Sequence, residues 1–406
     1  MIPRTTRMYR WLMWNLASRP YVGTWLKWSH RFEKTPDSDP FPGPPFVLTA
    51  NHANFFDPWF VGYYSTHPVA YMSADDAFRS GPITRWYLRS IGTFGKKKGG
   101  SDFRAMKKTL GLLESNYPVC IFPEGQASWD GETQPLYRGV EKIVKRVGCP
   151  VVTINLRGNY LSNAYWMRRR RRGRIVMSIR TLSREYVAGN TPEKIFETIR
   201  GHLRHDDIKD PRNREAAFRG GGLAEGLERL VWMCPRCRAE DEMVCEGNEA
   251  RCRGCGGVWR IDPYCGITTV SGADDGLGDL KDWTDRQKER VKERIAERSG
   301  GAAITATEPL RMETEDSRGV FVPAGVGKLS LSGESLLFEP REPAGRPVEL
   351  PVEALDHYVI QRRDIFECSA GGILYRFVFD HQSPWKWLQY VRYLKGYEQI
   401  EKRGFY

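Results

Sequence analysis

The 406-residue sequence contains no run of 18 or more apolar residues, so it offers no segment expected to cross a bilayer as a helix. It also lacks the continuous apolar core and small-residue cleavage site of a secretory signal; its first 30 residues are apolar only in patches. A reducing cytosol is therefore the expected setting, and there paired cysteines read as metal ligands rather than disulfides. No internal repeat is present. Negative charge is scarce in one half only: residues 1–200 carry 31 Lys and Arg against 15 Asp and Glu, and residues 201–406 carry 31 against 35. The basic half calls for an anionic partner, whether nucleic acid, acidic membrane or phosphorylated substrate, and charge alone does not choose among them.

Residues 8–28 are rich in Trp, Tyr, Leu and Met with Arg10, Arg19 and Lys27 interspersed. Pro20 is expected to divide them into two short helices. Rings and cations together suit the headgroup zone of a membrane, so residues 1–35 read as amphipathic, membrane-associating helices; the alternative is a helix pair packed on the protein's own core. From about residue 36 to 215, short apolar runs alternate with helical segments. Phe46–Ala50, Tyr117–Phe122 and Pro150–Leu156 read as strands, and Phe103–Glu114, Leu136–Val147 and Pro192–Leu203 as helices. This alternation predicts an α/β domain with a mostly parallel sheet. Residues 206–230 read as a linker, residues 269–317 as a second linker containing a charged spacer helix, Leu280–Arg298, and residues 318–406 as short alternating strands closed by one helix.

The string Asn51-His52-Ala53-Asn54-Phe55-Phe56-Asp57 follows the first of these strands, at a strand end where α/β folds build sites. A carboxylate five residues after a histidine is able to accept from one ring nitrogen, fix the tautomer and stabilise the imidazolium. The other nitrogen is then available to take a proton from a substrate hydroxyl. Taken alone, such a pair is equally consistent with a turn or a helix cap. It gains force from its company: Ile91-Gly92-Thr93-Phe94-Gly95-Lys96-Lys97-Lys98, then Ile121-Phe122-Pro123-Glu124-Gly125, then Pro150-Val151-Val152-Thr153-Ile154-Asn155.

With these four blocks in this order, residues 40–205 resemble the glycerolipid acyltransferase family typified by lysophosphatidate acyltransferases. The resemblance implies that His52 is the general base and Asp57 its orienting partner. It implies that Lys98 faces the acceptor's phosphate, and that Glu124 and Gly125 hold the glycerol acceptor. It also implies acyl transfer from an acyl thioester, acyl-coenzyme A or acyl-carrier protein, to the hydroxyl of a lysophospholipid such as 1-acylglycerol 3-phosphate. The setting would be phospholipid biosynthesis at the cytoplasmic face of a membrane. Two departures bear on the acceptor: Lys98 stands where the family usually has Arg, and Gln126-Ala127-Ser128 follows where the family often has an Arg. The run Arg168–Arg172 reads either as a solvated loop or as a contact for anionic headgroups or coenzyme phosphates.

Cys234-Pro-Arg-Cys237 and Cys252-Arg-Gly-Cys255 are two CxxC knuckles, which predict a closed four-thiolate zinc site of the ribbon type within residues 231–268. Cys245 and Cys265 lack knuckle spacing. The strands after residue 318 resemble a PH- or GRAM-like domain. Two other function classes stand beside acyl transfer: a catalytically inactive lipid- or protein-binding scaffold at the membrane, and a nucleic-acid binder. Intact His52 and Asp57 count against the first. Basic charge placed away from the ribbon counts against the second.

Overall fold

The computed structural model describes residues 3–74, 78, 81–96, 102–297, 301–317, 319–342 and 345–396. The chain forms two compact units, one made of Met1–Ala164 and Arg171–Arg219, the other of Tyr165–Arg170 and Gly220–Gln399.

The first unit opens with one helical run rather than two. Helix α1 (Arg4–Leu12) passes through a π-helical stretch (Met13–Gly23) into α2 (Thr24–His30). Pro20 lies inside the π-helical stretch, whose wider turns keep the run continuous where a break was expected. The run buries Trp14, Ser18, Leu26 and His30 and leaves Leu16, Tyr21, Trp25 and Trp28 exposed. No helix among the described residues is long and apolar enough to cross a membrane.

Seven strands follow: β1 (Phe32–Lys34), β2 (Val47–Ala50), β3 (Ala70–Ala74), β4 (Phe94–Lys96), β5 (Val119–Ile121), β6 (Val151–Arg157) and β7 (Ile175–Leu182). They form one sheet in the order β1-β7-β6-β2-β5-β3-β4. Every pairing is parallel except β6 with β7. The central strands are apolar on both sides, as a parallel sheet covered on both faces requires. Val47 packs with α5 (Phe103–Glu114), α6 (Val140–Val147) and α9 (Pro192–Leu203) through Leu112, Val144 and Ile199. Its neighbour Leu48 points to the opposite face, toward Leu26, Phe60 and Ile91. Between these elements lie α3 (Asp57–Gly62), α4 (Pro82–Ser90), α7 (Asn159–Asn163) and α8 (Arg184–Gly189).

The second unit holds two antiparallel sheets. The first is a four-stranded ribbon, β8 (Met243–Glu246), β9 (Glu249–Cys252), β10 (Val258–Ile261) and β11 (Ile267–Ser271), in the order β11-β10-β9-β8. Helix α10 (Leu280–Glu297) follows. The second sheet has seven strands: β12 (Thr305–Glu315), β13 (Phe321–Leu331), β14 (Ser335–Pro340), β15 (Val348–Pro351), β16 (Leu355–Gln361), β17 (Ile365–Ala370) and β18 (Ile373–Val378). Helix α11 (Pro384–Leu394) closes the chain's described part, burying Trp385, Trp387, Leu388 and Val391.

Three sequence expectations are corrected here. The β module begins at Thr305 rather than 318, because β12 lies inside the expected linker. Pro309 obscures that strand in sequence; the sheet places it where the β12–β13 register shifts between Thr307 and Leu310. The charged helix α10 is not a bare spacer: Leu280, Trp283 and Val291 are buried, and Gln287 Nε2 donates to the Leu230 carbonyl at 3.1 Å. Residues 206–230 are not a loose linker either, since Phe218, Leu223, Ala224 and Leu227 are all buried.

Candidate active site

Three neighbouring strands, β6, β2 and β5, end on the same side of the sheet, and each delivers a side chain there. Strand β2 runs into Asn51-His52, β5 into Phe122-Pro123-Glu124-Gly125, and β6 into Gly158-Asn159. Asn51 ties the first to the third: its Nδ2 donates to the Leu156 carbonyl at 3.0 Å, and its Oδ1 accepts the Leu156 N–H at 2.7 Å.

The His52 ring stacks on Phe122, with centroids 4.5 Å apart. Its Nδ1 lies 2.5 Å from Asp57 Oδ2. The same Asp57 oxygen accepts the Ala53 N–H at 2.7 Å and the Asn54 N–H at 3.1 Å, while Oδ1 accepts Asn159 Nδ2 at 2.6 Å. The Asp57 side chain is fully buried and that of His52 is 20% exposed. A carboxylate held by this many donors keeps its orientation. It therefore directs Nδ1–H of His52 to itself and leaves Nε2 as the nitrogen for an incoming proton.

Glu124 meets this loop from β5. Its Oε1 accepts the His52 N–H at 2.6 Å, and its Oε2 accepts the Gln134 N–H at 2.7 Å. Burial pushes its carboxyl well above the ordinary range, against the pull of those two backbone donors, and Asp57 and Asp130 add to the rise. A carboxyl this enclosed, with both oxygens taken, fixes the His52 backbone. Gly125 adopts φ +73°, and a Cβ there would stand 2.9 Å from the Tyr137 ring, so only glycine fits this exposed turn. Past Gly125 the chain returns to the same loop: the Ser128 N–H donates to the His52 carbonyl at 2.8 Å. Lys98 lies outside the described residues.

Residues 30–157 match the family model for acyltransferases. The chain carries an acyltransferase-family domain. The match covers the His52–Asp57 and Glu124–Gly125 blocks and agrees with the glycerolipid acyltransferase resemblance drawn from them. Among solved structures, the chain is similar to the 1-acyl-sn-glycerophosphate acyltransferase PlsC of Thermotoga maritima, at 16% identity and a TM-score of 0.37, over 49% of this chain and 93% of that one. It is also similar to the N-terminal PH domain of human ARAP2, at 12% identity and a TM-score of 0.18, over 25% of this chain and 86% of that one.

Part of the arginine run has partners within the protein. Arg171 is buried, with its N–H on the Ser162 carbonyl, and Arg172 lies over the Trp28 ring at 5.5 Å. In the other unit, Arg168 pairs with Glu228 at 3.2 Å and Arg169 with Glu225 at 3.3 Å. Arg171 is thus an internal side chain, whereas Arg168, Arg169 and Arg172 are exposed and make their contacts at the surface.

In the second unit, the sulfur atoms of Cys234, Cys237, Cys252 and Cys255 all lie within 4.8 Å of one another, and two of the pairs are 3.7 Å apart. A regular tetrahedron of thiolates about 2.3 Å from a zinc ion has edges of about 3.8 Å, so the donor set fits that ion. Cys245 and Cys265 are buried outside the cluster.

Proposed function

We propose that this protein transfers a fatty acyl group from an acyl thioester, acyl-coenzyme A or acyl-carrier protein, to the free hydroxyl of a lysophospholipid such as 1-acylglycerol 3-phosphate. The observation that carries this reading is the His52–Asp57 pair at the end of a central parallel strand, inside a segment of acyltransferase sequence. Nε2 of His52 takes the acceptor's hydroxyl proton as its oxygen attacks the thioester carbonyl. The tetrahedral oxyanion collapses, the C–S bond breaks, and the thiolate leaves with the proton that His52 returns. Asp57 stabilises the imidazolium in between.

We read the reaction as taking place at a membrane surface. The N-terminal helical run exposes Leu16, Tyr21 and Trp28 at 67%, 81% and 74%. It also touches the loop that carries the catalytic pair, because Trp25 packs on Phe56 at 6.0 Å between ring centroids. An apolar, ring-rich face with Arg19 and Lys27 on the same segment suits the interface of an anionic bilayer. The proposed role of zinc is structural: four thiolates fill a tetrahedral site and leave no position for substrate. The seven-stranded antiparallel sheet with its closing helix is read as a PH- or GRAM-like lipid- or protein-binding module. The test is a lysolipid panel with labelled acyl-coenzyme A, run on the wild type and His52→Ala. Transfer by the wild type alone is expected; equal transfer by the mutant refutes the assignment.

A further inference from the structure

Asn159 carries no motif, and nothing in the four sequence blocks singles it out. It stands at the first position of α7, directly after β6, and is 1% exposed. Its Nδ2 donates to Asp57 Oδ1 at 2.6 Å, and its Oδ1 accepts Asn54 Nδ2 at 3.0 Å. Asn54 Oδ1 in turn accepts the Phe56 N–H at 2.9 Å. A backbone N–H has only one polarity, so it fixes the Asn54 amide with oxygen toward Phe56. That fixes the Asn159 amide with oxygen toward Asn54, and so its NH2 toward Asp57. The direction of each bond is thus set from a backbone group outward.

We infer that Asn159 is a positioning residue for the His52–Asp57 pair: its amide holds Asp57 Oδ1 so that Oδ2 meets Nδ1 of His52. This rests on the reading of His52 as the base. The opposite oxygen already takes two backbone N–H groups and His52, all from one side, and Asn159 supplies the counter-hold on the other. Asn159 is itself braced. Asp207 accepts the Gly158 N–H at 2.6 Å and the Tyr160 N–H at 2.7 Å, on either side of it, and His205 Nε2 lies 2.7 Å from the same carboxylate. Gly158 turns with φ +78°, where a Cβ would stand 2.3 Å from the Arg174 carbonyl oxygen. The support chain therefore runs from a buried His–Asp pair to Asn159, then to Asp57, then to the exposed edge of His52.

The test uses the full chain and two readouts. The first is the downfield proton resonance of His52 Nδ1–H in one-dimensional NMR, assigned by its absence in His52→Ala. The second is steady-state acyl transfer from palmitoyl-coenzyme A to 1-acylglycerol 3-phosphate. Asn159→Ala is expected to lose or shift that resonance and to lower kcat roughly ten- to a hundred-fold, with KM changed by less than about two-fold. Ser162→Ala is the control for disturbance of α7. Its hydroxyl bonds to His30 and to the Arg171 carbonyl, away from Asp57, and it should keep both the resonance and kcat. A wild-type resonance in Asn159→Ala, or the same losses in Ser162→Ala, overturns the inference. If His52→Ala removes no resonance or still transfers acyl groups, the base assignment fails, and the role of Asn159 with it.

Discussion

The contact between Asp57 and Asn159 is open to a charge swap whose outcome follows from the hydrogen-bond count. In Asp57→Asn one carboxylate oxygen becomes an NH2. At the Oδ2 position it would face three donors, so it takes the Oδ1 position and faces Asn159 Nδ2 across the 2.6 Å contact. A charge-assisted bond worth about 1.5–3 kcal/mol is lost, and a buried donor left unpaired costs about 1–3 kcal/mol more, so destabilisation near 4 kcal/mol is expected. Asn159→Asp alone brings two carboxylates together in the same buried place and forces one to hold a proton, with a similar loss. Made together, the two changes restore a donor facing a carboxylate, and the second oxygen at 159 still accepts Asn54 Nδ2. The double variant should recover at least about 2 kcal/mol relative to the sum of the single changes. It should nevertheless stay about 10²- to 10⁴-fold below wild type in kcat, because the negative charge has moved away from His52. Urea denaturation followed by tryptophan fluorescence measures the coupling, and acyl transfer measures the catalytic loss. Additivity within about 0.5 kcal/mol would refute the geometry, and full activity of Asp57→Asn would refute the role of the carboxylate.

Zinc should bind at one ion per chain. Its removal, or Cys252→Ser, should lower the melting temperature of the β module as well as the ribbon. Glu240 and Asp241, just past the first knuckle, anchor Lys386, Tyr390, Thr305 and Thr307 of that module, and Lys386 is fully buried. Metal analysis and calorimetry check this; a chelated protein with unchanged melting counts against it. Acid should unfold the two units in sequence. Burial, aided by Arg180, lowers His202 from 6.5 to about 4, so its share of the first unit's stability is present above pH 6.5 and is lost as pH falls toward 4. Burial alone would raise Glu367, but His357 at 3.8 Å and hydrogen bonds from Arg376 and Gln361 prevail and hold it at about 2 rather than 4.5. Its share is present above pH 4.5 and is lost only as pH falls toward 2. Each shift corresponds to about 3 kcal/mol. His202→Gln and Glu367→Gln should flatten the respective acid limbs in urea titrations, and unchanged limbs would argue otherwise. Replacing Leu16 or Tyr21 by Ser should each weaken sedimentation with anionic vesicles by about ten-fold, from about 1–2 kcal/mol of apolar burial lost, without changing the melting temperature. Undiminished vesicle binding would remove this face from the membrane contact.

Much of the fold was legible because its signals are local. Helices α5 and α9 fall on the residues expected from apolar spacing, and β2, β5 and β6 lie within a residue or two of the expected runs. The CxxC spacing likewise brings four sulfurs together in the structure. What was not legible depends on context. Strands β1 and β4 have three residues each and sit in no apolar run like the one that marks the equally short β5. Strand β12 carries Pro309, which argues against a strand until the bulge that accommodates it is known. Pro20 reads as a break until the π-helical stretch around it is seen.

At the site, sequence singled out His52 and Asp57, which the structure brings into contact, but not the groups that hold them. His52 and Asp57 are five residues apart, and their contact needs only the turn between a strand and a helix. Asn159 lies 102 residues from Asp57, and the two meet only because β6 pairs with β2 in parallel and both strands end at the same edge. No local pattern encodes that meeting. Glu124 shows the complementary case. Its block is recognisable, but the backbone N–H groups that meet its two oxygens lie 72 and 10 residues away and leave no local signal. The two acids thus divide the work by their donors. Asp57 meets the His52 ring, whereas Glu124 accepts the His52 backbone N–H. Substitutions at the two positions should therefore differ in kind: loss at 57 acts on the imidazolium, and loss at 124 acts on where the ring stands.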